Sequence, residues 1–195
     1  ARESFVRAAT RSLHVEGLAA HAIGALDAAG IEVRALQGLA IANLDHADPS
    51  ERSFADADLL VRRGDHGRAV DALAAAGLAR AEPPVRAWWE RRYGKAFVVH
   101  SEGGGEVDVH LAITGGYFGV CIDHDRLWGH PSTPFEVGGR TVRALDVDGR
   151  WLQACCHAVL GGGSGLRALR DVAQIALIGG ADWRGVVDRC VTDGV

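Results

Sequence analysis

The sequence predicts an α+β fold, a mixed sheet flanked by helices with a C-terminal helical bundle beside it. Three observations carry this. Over the first 80 residues, helical periodicity alternates with short apolar runs. Near the middle, two strand-like runs flank a glycine-rich link. From Val147 onward the pattern is helical throughout. The expected organisation is a core at residues 1–146, N-terminal helix included, and a helical segment packed on it at 147–195.

The elements follow in order. Arg2 to about Gly30 reads as helix, with Phe5, Ala8, Ala9, Leu13, Leu18, Ile23, Leu26 and Ala29 near helical spacing and Gly30 as the C-cap. Ile31–Leu36 is a short apolar strand. Gly38 breaks it, and Leu39–Leu44 turns helical. Asp48-Pro49-Ser50 marks a polar loop, and Ala57–Val61 is the next strand. Arg63-Gly64-Asp65 is a turn, with Asp65 expected to cap a helix from His66 to Ala76 that Gly77 ends. Trp88, Trp89 and Tyr93 lie in a run of arginines, expected as a helix packing its aromatics on the core, the alternative being that with Arg91 and Arg92 they stack on a nucleotide or nucleic acid. Ala96–His100 and Val107–Ile113 form an expected hairpin around Gly103-Gly104-Gly105. A short helix near His124–Trp128 and strands at Phe135–Val137 and Thr141–Leu145 follow. Three helical pieces close the chain, broken at Gly161-Gly162-Gly163 and Gly179-Gly180, with Ser164 and Asp182 as caps. Their apolar positions Leu152, Val159, Leu166, Leu169, Val172, Ile175 and Leu177 call for a partner surface.

Composition narrows the function classes. The 195 residues are 48% hydrophobic and 24% charged, which excludes a disordered chain. No apolar run is long enough for a membrane span. The net charge is −4, against a protein that coats nucleic acid through bulk charge. Lys95 is the only lysine, so the positive charge is otherwise arginine. Cys121, Cys155, Cys156 and Cys190 lack zinc-ligand spacing and are expected as reduced thiols. The first residues, Ala1 to Phe5, lack a secretory apolar stretch, and a cytoplasmic location is expected. The chain holds no methionine, so its natural start is expected to lie outside it.

Three local features carry chemistry. Asp56 and Asp58 open the Ala57–Val61 strand, two residues apart and so on one face. Two like charges side by side are costly unless a cation sits between them, and hard oxygen donors suit magnesium. In Val107-Asp108-Val109-His110, the aspartate and histidine share the face opposite the valines. A third carboxylate there would complete a site for two magnesium ions of the kind used in phosphoryl and nucleotidyl transfer. His110 itself is expected as a structural histidine rather than a ligand. Leu36-Gln37-Gly38-Leu39 runs from strand into helix through a glycine, which lets backbone approach a phosphate.

Together these motifs resemble the nucleotidyltransferase superfamily typified by DNA polymerase β. More narrowly, they are similar to a bacterial family of uncharacterised nucleotidyltransferases. That family reads Leu-Lys-Gly, then Arg and three residues before Asp-x-Asp-Leu-Leu-Val, then Val-Asp-x-His. Leu36-Gln37-Gly38, Arg52, Asp56-Ala57-Asp58-Leu59-Leu60-Val61 and Val107-Asp108-Val109-His110 occupy those positions, and Leu169-Arg170-Asp171-Val172-Ala173 with Asp182-Trp183 matches its tail.

The resemblance implies a polymerase-β-like nucleotidyltransferase core. It implies magnesium, two ions, held by Asp56, Asp58 and Asp108, which are also the expected catalytic residues. Gln37, Gly38, Leu39 and Arg52 fall at the positions expected to bind the nucleoside triphosphate, ATP among the candidates, with Arg52 either neutralising phosphate charge or bracing the Asp-x-Asp strand. Gln37 replaces the family's lysine, and Leu39 stands where the wider superfamily has a phosphate-holding serine. The expected reaction moves a nucleoside monophosphate to a hydroxyl acceptor: a small molecule, a peptide or protein, or a tRNA end. The alternative is a catalytically degenerate member of the fold that serves as a binding or regulatory module, and Gln37 and Leu39 motivate it.

Overall fold

The structure is a computed structural model that describes residues 2–83, 85–161 and 165–193. Its frame is a seven-stranded mixed sheet in the order β3-β4-β5-β2-β1-β7-β6. The strands are β1 (Val33–Ala35), β2 (Ala57–Val61), β3 (Leu78–Arg80), β4 (Ala96–Ser101), β5 (Glu106–His110), β6 (Ser132–Val137) and β7 (Arg140–Leu145). The helices are α1 (Arg2–Ala28), α2 (Gln37–Leu44), α3 (His66–Ala75), α4 (Ala87–Tyr93), α5 (Gly116–Cys121), α6 (His124–Gly129), α7 (Val147–Leu160), α8 (Leu166–Gln174) and α9 (Trp183–Asp193). The α+β expectation holds. The β2–β5 and β1–β7 pairs are parallel and the other pairs antiparallel.

Strand β2 sits at the centre, and all five of its residues are buried. Alternation divides it between two faces. Leu59 and Val61 join the main core with Leu26 of α1 and Leu73 of α3. Asp58 and Leu60 face the other way, where Leu60 packs with Leu36, Ile113, Ile122, Leu127 and Trp128. A fully buried strand reads as a continuous apolar run. Asp58, only 6% exposed, is the one exception in β2.

Some expectations need correction. Asp65 does not cap α3 through its side chain, which instead pairs with Arg68 at 2.6 Å. Trp88, Trp89 and Tyr93 are exposed, so α4 does not pack its aromatics on the core. Its buried residue is Glu90, held by Arg80 at 2.8 and 3.0 Å. That arginine is the chief reason the Glu90 carboxyl lies below the usual range.

In the C-terminal segment, Leu152 and Ile175 are buried and Val172 packs against their neighbours, but Val159, Leu166, Leu169 and Leu177 are exposed. The expected apolar stripe is therefore only half used. Buried ion pairs do much of the joining. Arg150 of α7 grips both oxygens of Asp45 at 2.9 and 2.8 Å. Arg52 grips both oxygens of Asp171 in α8, each at 2.8 Å. The breaks expected at Gly162, Gly163 and Ser164 lie outside the described residues. Gly180, at φ 73°, ends a π-turn after α8 as the glycine break requires. No helix among the described residues is long and apolar enough to cross a membrane.

Candidate active site

The site is built where β1 ends and where β2 and β5 run side by side. Asp58 and Asp108 are direct partners in the parallel β2–β5 register, so they emerge on one face as neighbours. His110, two residues on, shares that face. The ligating atoms of Asp58, Asp108 and His110 all lie within 4.8 Å of one another. His110 Nε2 and Asp58 Oδ1 are 2.7 Å apart. The same oxygen accepts a 2.8 Å bond from Gln37 Nε2. His110 is 1% exposed, and its Nδ1 has no hydrogen-bond partner.

Gln37 is held in an unusual way. It has φ 45°, the only positive value outside glycine among the described residues. That region costs a side-chain-bearing residue of order 1 kcal/mol or more, and such strain gathers at functional sites. Next to it, Leu36 N–H donates to Asp58 O at 2.9 Å and locks the strand end to β2. Gln37 is thus aimed at the carboxylate cluster by its own backbone.

The electrostatics match a site that awaits a cation. Burial raises the Asp108 carboxyl above its ordinary range, and the Asp58 charge raises it further. Burial and Asp58 do the same to Asp56. Asp56 is exposed and stands outside the group of three, just before β2 begins. The expected trio of carboxylates is therefore a close Asp58–Asp108 pair joined by His110, with Asp56 acting on it through charge. Crowded, partly desolvated carboxylates destabilise one another until a cation joins them. Two carboxylate donors within one ion's reach fit a hard divalent ion such as magnesium, and an added imidazole widens the choice to transition metals.

The other expected residues are placed differently. Gly38 is buried, and a Cβ there would sit 2.5 Å from Phe54 Cβ. Packing against Phe54 thus demands this glycine before any phosphate is considered. Leu39 is fully enclosed in the main core, so its side chain cannot touch a ligand. Arg52, expected beside the nucleotide, has its guanidinium taken up by Asp171 and by Ser53 O. It braces the approach to β2 from α8.

A cavity of about 380 Å³ opens beside the cluster, lined by Gln37, Lys95, Thr114, Gly115, Gln153 and His157 among others. Lys95 carries no local motif, and His157, on a helix of the family-like tail and expected as a packing residue, lines this cavity instead. A larger space of about 680 Å³, lined by Arg62, Arg63, Arg92, His124 and Trp128, lies elsewhere. Arg62 is four residues past Asp58, roughly 13 Å along the strand, beyond the apolar cluster of Leu60. Asp58, Asp108 and His110 are among the lining residues of neither cavity, but Gln37, which bonds Asp58, lines the smaller one, so the smaller one adjoins the cluster.

A family model described as "Uncharacterised nucleotidyltransferase" matches residues 1–194. The chain belongs to that family. It is a nucleotidyltransferase, an enzyme that transfers a nucleotidyl group. Comparison with curated protein sequences finds no match. Several solved structures share the fold of this nucleotidyltransferase. The crystal structure of ANT(2")-Ia in complex with adenylyl-2"-tobramycin is similar with a TM-score of 0.59 at 14% identity, over 91% of this chain and 95% of that one. A solution structure of the antibiotic-resistance factor ANT(2'')-Ia gives 0.59 at 13%, over 84% and 83%. The lincosamide antibiotic adenylyltransferase LnuA, lincomycin-bound, gives 0.52 at 11%, over 80% and 92%. At such identities the likeness is one of fold.

Proposed function

We propose that the chain transfers a nucleoside monophosphate from a nucleoside triphosphate to a hydroxyl on a small acceptor molecule, with magnesium. The observation that carries this reading is the Asp58–Asp108 pair, set in register on adjacent parallel strands beside a cavity. Asp58 and Asp108 would hold the metal, with Asp56 completing a two-ion site. Magnesium bound there would supply positive charge to the α-phosphate and to the departing pyrophosphate.

The chain's own residues do the rest. Gln37 and His110 both hold Asp58 through Oδ1, which fixes the carboxylate and leaves Oδ2 for a metal ion. Asp108 would hold the catalytic ion and, with its carboxyl raised by burial and by the Asp58 charge, is suited to take the proton from the acceptor hydroxyl. In this reading residues 1–146 are the nucleotidyltransferase core. Residues 147–195 are a helical segment packed on it, lending Gln153 and His157 to the cavity wall. The lining mixes apolar side chains, amides, a hydroxyl, an imidazole and a single cation, Lys95, and a space of this size suits a compact molecule better than a nucleic acid. Of the structural neighbours, one is bound to adenylyl-2"-tobramycin and another is an adenylyltransferase bound to lincomycin, which supports ATP as donor and a small molecule as acceptor.

The test is transfer of label from α-labelled ATP, with magnesium, to a panel of hydroxylated small molecules. Wild type should label at least one acceptor. Asp58→Asn should lose about 10²- to 10⁴-fold, since a catalytic ion supplies several kcal/mol. An Asp58→Asn protein that transfers label at the wild-type rate would refute the reading.

A further inference from the structure

Lys95 is the only lysine in a chain whose other 20 cationic side chains are arginines. It stands just before β4, and its backbone carbonyl accepts from Leu111 N–H at 2.7 Å and from Ala112 N–H at 3.2 Å. Those two bonds pin it to the end of β5, the strand that carries Asp108 and His110. Its aliphatic stem crosses Gly115: a Cβ built there would lie 3.4 Å from Lys95 Cδ and 3.9 Å from Cγ. The stem thus packs on Gly115 at ordinary van der Waals distance. Lys95 lines the 380 Å³ cavity together with Gln37, the residue that bonds Asp58.

The charge pattern around it is one-sided. Among the described residues, no acidic side chain lines the cavity. Among the described residues, no carboxylate lies within ion-pair distance of the Lys95 ammonium, whereas Asp45, Glu90 and Asp171 each hold an arginine. The Lys95 charge is nonetheless among those that act on Asp108. The ammonium thus shares its cavity with Gln37, which bonds Asp58, and its charge reaches the neighbouring carboxylate pair without an ion pair. A ligand that satisfies both must bring a cation to the carboxylates and an anion to the lysine. A metal-bound polyphosphate is such a ligand. Arginine makes planar, bidentate bonds, while lysine acts as a mobile point charge on phosphate.

We propose that Lys95 is the phosphate-binding cation of the site, holding the pyrophosphate portion of the nucleoside triphosphate. It supplies from β4 the positive charge that Gln37 lacks at the end of β1. This rests on the nucleotidyltransferase reading above. It reassigns triphosphate recognition from Arg52 and Leu39, which the fold has committed elsewhere, to Lys95.

The probes are magnesium pyrophosphate and magnesium ATP, with binding measured by calorimetry on wild type, Lys95→Gln and Lys95→Arg. Lys95 is exposed, and its fold-fixing bonds come from the backbone, so both variants should fold. Lys95→Gln should bind both probes about 10- to 100-fold more weakly, the usual worth of a hydrogen bond to a charged group. Lys95→Arg should stay within about tenfold of wild type. Magnesium alone should bind all three proteins alike. In transfer assays the loss should fall on KM for ATP more than on kcat. Equal binding of both probes by wild type and Lys95→Gln would overturn the proposal while leaving the nucleotidyltransferase reading intact. A wild type that binds neither probe would overturn that reading, and this proposal with it.

Discussion

Two sets of acids are withdrawn from water in this molecule, and they meet different partners. Asp45 and Asp171 are each gripped through both oxygens by an arginine, Arg150 and Arg52. Asp58 and Asp108 have each other, a histidine and an amide, and among the described residues no lysine or arginine forms an ion pair with either. The first set is electrically closed and holds the C-terminal helices to the sheet. The second is left open on a rigid strand pair beside a cavity. An acid kept for stability carries its counter-charge in the chain. An acid kept for chemistry waits for one from outside.

The comparison can be broken most forcefully at Arg150. Arg150→Met leaves Asp45 buried without a counter-charge, which should cost about 3–5 kcal/mol. In a chain of this size that is a fall in melting temperature of roughly 6–20 °C. Thermal unfolding checks it, and a variant that melts like wild type would show that the closed pairs are not structural. Gly38→Ala comes next. The new Cβ must displace Phe54, at about 1–3 kcal/mol of overpacking. If the cost appears in denaturant unfolding without nucleotide, the glycine serves packing. If stability is unchanged and only ATP affinity falls, it serves the phosphate.

A third test uses pH in the far cavity. Burial, and then the nearby Arg63, hold the folded His124 imidazole down at about 4, against about 6.5 in an unfolded chain. Between those values the unfolded chain takes up a proton that folded His124 refuses. Stability should therefore fall as pH drops from about 6.5, and this contribution should level off below about 4. His124→Asn should lessen the acid loss by about 1–2 kcal/mol, allowing for partial solvent screening. Unfolding measured at pH 7 and pH 5 on both proteins decides it. An unchanged difference between the two pH values would show that His124 is not held neutral.

Much of the frame was legible in the sequence because its signals are local. Ala57–Val61 appears as β2 with the expected bounds, and the Gly103–Gly105 link does join β4 to β5. The period of two placed Asp108 and His110 on one face, and that same spacing could have flagged His110 as a partner of Asp58. The expected structural histidine is buried and bonded to Asp58 on the neighbouring strand. What stayed hidden depends on long range. Arg52 and Asp171 are 119 residues apart, so nothing local told that this arginine was already engaged. Gly38 reads as a phosphate turn until Phe54 is seen against it. Lys95 carries no motif, and only the fold brings it to the site. Strand β3, three residues long, is too short for periodicity to register.

The central claim is that Asp58 and Asp108 are held close, and open, for a divalent cation. Thermal unfolding of wild type and Asp108→Asn, each with and without saturating magnesium, tests it most directly. Asn keeps the shape and removes one of two repelling charges. Without the ion, the variant should melt higher, by roughly 2–4 °C for about 1 kcal/mol. With magnesium, wild type should gain by binding and the variant should gain little, so the order of the two melting temperatures reverses. A variant that melts no higher than wild type without the ion, and that shifts equally with it, would contradict the claim.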